Sequence, residues 1–192
     1  TIASSTASAN CYVIFYTRSY WISTRMNNTT STTATATFVD NAFLQTYGGS
    51  ETDIGHSVQQ TSDGGYIITG RTNSYGNGDY DVWLIKTDAD GDSSWTQTFG
   101  GSEEDGSYSV QQTSDDGCII GVYTELSGNG GADVWLFKIN SSGGLTCSKT
   151  FGGSEFDRGP SVQQSSDGGY IINGSTDTYG NGIFDVWFSK IN

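Results

Sequence analysis

An all-β fold built from repeated antiparallel sheets is what this sequence predicts, on three observations. Its 192 residues include 27 Gly and 1 Pro, and 15% are charged. That balance disfavours both a helical bundle and a charge-driven disordered chain. A gap-free repeat of 52 residues occupies most of the length. Each copy holds four short apolar runs separated by Gly, Asn and Asp, which punctuate strands rather than helices.

The repeat is read directly from the strings. TYGGSETD (46–53), TFGGSEED (98–105) and TFGGSEFD (150–157) stand in one frame, followed by SVQQTSDGG, SVQQTSDDG and SVQQSSDGG from Ser57, Ser109 and Ser161. YIITG, CIIGV and YIING come next, then YGNG, SGNG and YGNG. DVWLIK, DVWLFK and DVWFSK begin at Asp81, Asp133 and Asp185.

In the first copy the expected strands are Phe43–Tyr47, Ser57–Thr61, Tyr66–Arg71 and Asp81–Thr87. Between them Gly48-Gly49, Asp63-Gly64-Gly65 and Gly76-Asn77-Gly78 tolerate positive φ and make tight turns. The last strand is apolar on both sides, with Val82 and Leu84 on one and Trp83 and Ile85 on the other. Such a strand belongs to a sheet covered on both faces. Four-stranded sheets of this length stacked face to face are β-propeller blades. The expected architecture is therefore three clear four-stranded blades (43–94, 95–146, 147–192) plus a degenerate N-terminal unit, closing as a four-bladed ring. An open array of blades and a β-solenoid are the alternatives.

The copies resemble the secreted bacterial and archaeal β-propeller repeats whose units read GGS-acidic, then a strand, SDGG, a YI strand and a DVW strand. The resemblance covers residues 43–192. It implies the propeller fold and a secreted or surface-displayed location, in a family whose members often carry no assigned activity.

Residues 1–42 differ in composition from the body at 43–192. Positions 1–37 hold Arg18 and Arg25 but no acid, and 16 of them are Ser or Thr. All 21 acids of the chain lie beyond, where the net charge is −15 against −13 for the whole. No Lys/Arg-led apolar segment with a small-residue cleavage site is visible, so a secretory leader is expected to have been removed. The third copy stops after its DVW strand, and an open strand edge invites pairing. CYVIFYT (11–17) is the expected partner, returning to its own chain or donated to a neighbour.

Acidic pairs recur at Glu51/Asp53, Glu103/Asp105 and Glu155/Asp157, and Asp88, Asp90 and Asp92 form a D-x-D-G-D run. Oxygen ligands in Gly-rich loops suit calcium, whereas Asp in such loops also caps its own turn. The run fails the calcium-loop pattern, since Ser93 stands at the sixth position and Phe99 at the twelfth. Sequons occur at Asn27, Asn28 and Asn140, and at Asn173 inside an expected strand. The single histidine, His56, occupies a slot held by Tyr108 and Pro160 in the other copies. It reads as a solvated side chain rather than a base, and no G-x-S-x-G nucleophile signature is present. Cys118 and Cys147 take slots held elsewhere by Tyr or Trp, and so read as buried apolar substitutes. The repeated Trp83, Trp135 and Trp187 read as packing residues rather than sugar platforms.

An acidic chain is repelled by phosphate backbones, which excludes a nucleic-acid partner. No apolar run reaches the ~18 residues that insert as a membrane-spanning helix. The expected function is that of a non-catalytic extracellular or cell-surface protein with a structural or adhesive role, a self-assembling filament subunit. Its expected partners are itself or cell-surface glycans, with calcium as the one candidate cofactor. A carbohydrate- or ligand-binding, lectin-like propeller is the alternative.

Overall fold

The computed structural model describes residues 22–25, 33–36, 43–125 and 130–192. The chain divides into two units, Thr1–Phe43 and Leu44–Asn192. In the first, β1 (Ile22–Arg25) and β2 (Thr33–Ala36) pair antiparallel, with Ile22 opposite Ala36 and Arg25 opposite Thr33. The CYVIFYT segment, Cys11, Asn27 and Asn28 lie outside the described residues.

The second unit contains three antiparallel meanders and no helix among its described residues. Sheet 1 runs in the order β3 (Asp53–Gln60), β4 (Tyr66–Thr72), β5 (Asp81–Thr87), β6 (Ser93–Phe99). Sheet 2 repeats it with β7 (Asp105–Gln112), β8 (Cys118–Thr124), β9 (Asp133–Ile139) and β10 (Leu145–Phe151). Sheet 3 has three strands, β11 (Asp157–Gln164), β12 (Tyr170–Thr176) and β13 (Asp185–Ile191).

Two expectations are corrected. The third unit is three-stranded, not four-stranded. Phe43–Tyr47 is not a strand. Both follow from one offset: the run after the DVW strand pairs backwards, so that Val82 faces Phe99 and Val134 faces Phe151. Sheets 1 and 2 thus each borrow their last strand from the next copy. The sheets span 53–99, 105–151 and 157–191 instead of starting at each copy's first run.

Turns explain the motifs. In YGNG, Gly76 and Gly180 have φ of 111° and 116°. There the following amide donates to the Asp that opens the next strand: Asn77 N to Asp81 Oδ2 (2.7 Å) and Asn181 N to Asp185 Oδ2 (2.8 Å). A Cβ on either glycine would collide with that carboxylate.

The core lies between sheets. Ile67, Val82 and Leu84 of sheet 1 pack on Val110, Ile120, Val122 and Phe137 of sheet 2. The equivalent face of sheet 2, with Ile119 and Leu136, packs on Val162 and Ile172 of sheet 3. Sheet 2 is covered on both faces, and every residue of β8 is buried. Trp135 packs against this core, with its ring 4.7 Å from that of Phe137, while Trp83 is buried and meets the Tyr75 ring at a tilt, with centroids 5.4 Å apart.

Candidate functional site

The 52-residue register places the same side chains at both junctions between sheets. Gln59 Oε1 accepts the Gln112 amide (2.6 Å) and Gln111 Oε1 accepts the Gln164 amide (2.5 Å). In return, Gln112 Oε1 accepts Ser62 N (2.8 Å) and Gln164 Oε1 accepts Ser114 N (2.9 Å). The SVQQ motif is therefore the joint between neighbouring sheets.

One residue in each first strand is a β-bulge or belongs to one. The ladder slips between Gly55 and Ser57, between Ser107 and Ser109, and between Arg158 and Ser161. His56, Tyr108 and Pro160 occupy these slips. A bulge tolerates the missing N–H of proline, which explains a Pro inside a strand. His56 is not merely solvated: its ring stacks on Tyr108 at 5.6 Å and its Nδ1 lies 2.6 Å from the Ser107 carbonyl. Ser109 Oγ donates to the Pro160 carbonyl at 3.0 Å.

The acidic pairs are not brought together as ligand sets. Glu51, Glu103 and Glu155 are exposed, while their Asp partners turn inward. Asp53 accepts from Gly49 N and Ser74 Oγ (both 2.8 Å) and from Thr72 Oγ1. Burial alone would raise its pKa, but these bonds outweigh it and hold the carboxyl below its usual range. Asp105 accepts from Gly101 N and Asp157 from Gly153 N, each at 2.9 Å. The Asp105 pKa is raised, first by burial and further by the charge of Asp81. The D-x-D-G-D run is a polar turn in which Asp88 Oδ1 accepts from Asp90 N (3.0 Å) and Asp92 N (2.9 Å). Asn140, exposed in the matching turn, accepts from Ser142 N and Gly144 N in the same way. Among the described residues no group of three or more His, Cys, Asp or Glu is gathered as a metal site.

Three ion pairs went unread in the sequence: Asp63–Lys86, Asp115–Lys138 and Asp167–Lys190. Their signal was present, because the SDGG or SDDG Asp and the DVW-strand Lys stand 23 residues apart in every copy. Each Lys lowers the pKa of its Asp, chiefly through the side-chain hydrogen bond, and Asp115 falls to about 2. A second unread group joins sheets 1 and 2. Arg71 contacts Glu104 and Tyr123, the Tyr123 hydroxyl donates to Glu104, and the Arg71 guanidinium lies 4.3 Å over the Tyr80 ring. Tyr80 is thus engaged by its own chain.

A cleft of about 250 Å³ opens beside the first junction, lined by Asp63, Lys86, Trp95, Gln112, Asp116 and Asn140 among others. It sets one aromatic face among planar amides, carboxylates and an ammonium group. Cys118 lines it and is buried, which raises its thiol pKa to about 11. Cys147, expected to be buried as well, is exposed. It sits on β10, the outer strand of sheet 2, whose first five residues are all exposed.

No protein-family model and no curated protein matches this chain.

Proposed function

We propose that this chain is a non-catalytic structural or adhesive protein of the β-propeller type, acting outside the cell and associating with itself. The observation that carries the reading is the junction between sheets, which recurs residue for residue through the Gln59–Gln112 and Gln111–Gln164 bonds. A surface made to stack on a copy of itself is a structural device. The titratable groups near it are spent on capping turns and pairing strands. The extracellular setting rests on the resemblance to secreted propeller repeats. Electron microscopy and light scattering of the 192-residue protein test the reading. Rings or fibres are the expected result, and a monomer at every concentration sinks it.

A second reading, glycan binding, is favoured by the cleft around Trp95. Aromatic faces with convergent polar groups suit a ligand of that kind. A glycan array should then give signals that Trp95→Ala abolishes, and a blank array removes this reading.

A further inference from the structure

Each sheet of the second unit has two faces, and the repeat shows what each face meets. The face carrying Val82 and Leu84 is buried under sheet 2, and the matching face with Leu136 is buried under sheet 3. In sheet 3 that face carries Val186 and Phe188, which are 83% and 70% exposed. Among the described residues β13 is also the outermost strand of its sheet, whereas β5 and β9 each pair with a fourth strand. On the opposite side, sheet 1 turns outward the face that corresponds to Val110 and Ile120. Its Val58 is 63% exposed.

Leu44–Tyr47 already lies along this outward face of sheet 1. Gln45 Nε2 donates to Asp92 Oδ1 (3.1 Å) and the Tyr47 hydroxyl donates to the Gly91 carbonyl. Tyr47, Ile68, Trp83 and Ile85 enclose a cavity of about 90 Å³. Fifty-two residues on, Phe99 packs on Phe137, the counterpart of Ile85, with ring centroids 4.8 Å apart, while it pairs with β5. Leu44–Tyr47 therefore holds the place of a fourth strand belonging to a preceding sheet, and among the described residues it is in no sheet.

We propose that a second copy of this chain supplies that preceding sheet, an inference that rests on the self-associating reading above. The β13 edge and the Val186/Phe188 face of one copy receive Leu44–Tyr47 and the Val58/Ile68 face of the next. Shifting the observed ladders gives the register: Val186 opposite Tyr47, Trp187 opposite Thr46, Phe188 opposite Gln45 and Ser189 opposite Leu44. Shifting the glutamine bonds gives Gln163 Oε1 accepting Gln60 N of the second copy, whose Oε1 accepts Ser166 N. The contact is head-to-tail, so the rotation per sheet decides between a closed ring and a filament. Main-chain pairing supplies affinity, and the apolar pockets supply register.

The test uses the full chain with Phe188→Lys and Val58→Asp, both at exposed positions, with folding checked by circular dichroism. Light scattering should show association of the wild type. Each variant alone should associate about a hundredfold or more weakly, because a charge would be buried on an apolar face. Mixed together they should form one-to-one dimers, since each retains the half the other lacks. Association that survives both substitutions overturns this inference and leaves the structural reading standing. Variants that fail to complement each other also overturn it. A monomeric wild type overturns both.

Discussion

Asp116 is the single non-glycine residue with positive φ (61°) among the described residues. Gly64 and Gly168 hold the same slot in the other copies, with φ of 86° and 88°. Asp tolerates this region better than most residues but still at a cost. Asp116→Gly should therefore raise stability by about 0.5 kcal/mol despite loss of the exposed bond from Ser62 Oγ. Urea denaturation of both proteins checks it. Among the described residues, two thiols differ for a reason of place. Cys118 is buried with its pKa pushed up to about 11, whereas Cys147 faces solvent. The thiolate is the reactive form, so a maleimide at pH 8 should label Cys147 within minutes and Cys118 only after unfolding. Peptide mass mapping reads the outcome. The slots of these residues were legible in the repeat. Which slots face inward was not, because burial depends on which strand is outermost.

At the scale of elements, two apolar strands from different slots of the repeat, β8 and β13, have opposite surroundings. Ile120 in β8 is fully buried between sheets. Ile120→Ala should cost about 3–4 kcal/mol, from lost burial and the cavity left behind. Val186→Ala on the exposed face of β13 should change the stability of an unassociated chain by less than about 0.5 kcal/mol. Thermal unfolding of dilute samples separates the two. Strand positions were readable from alternation and turn residues, and β4, β5 and their counterparts fall within a residue or two of expectation. The misread run, Phe43–Tyr47, has the composition of Trp95–Phe99 and Cys147–Phe151. A strand exists only where a partner supplies the other half of its ladder, and local composition does not report that. The bulges were hidden likewise. A lone Pro160 hints at one, but His56 and Tyr108 carry no such mark.

Over the whole molecule, the three Asp–Lys pairs act as a set on acid stability. Asp63, Asp115 and Asp167 have folded pKa values below their unfolded ones. Their contribution is therefore present above the unfolded value near 3.9 and lost as pH falls through the folded values. Asp105 works in the opposite sense. Its raised pKa makes folding easier when it is protonated, so its effect favours stability as pH falls. The melting temperature should decline below about pH 4, and Asp115→Asn should flatten part of that decline while lowering the neutral plateau slightly. Scanning calorimetry from pH 7 to pH 2 checks both limbs; a variant that keeps the wild-type slope removes Asp115 from the set.

The amino-acid sequence by itself determined the all-β class, the period of 52 residues, the turn positions and the apolar strands that must be covered on both faces. These follow from local steric preferences and side-chain periodicity, which act within a few residues. Tertiary structure alone decided that sheets 1 and 2 take their last strand from the following copy and that SVQQ glutamines bond across sheets. It also decided that the Asp of each acidic pair turns inward while its Glu faces solvent. The glutamine bonds join residues about 50 positions apart and form only once the sheets stack. The borrowed strand and the inward Asp are fixed by which ladder and which turn partners each meets in the folded sheet, and composition within a few residues does not report that.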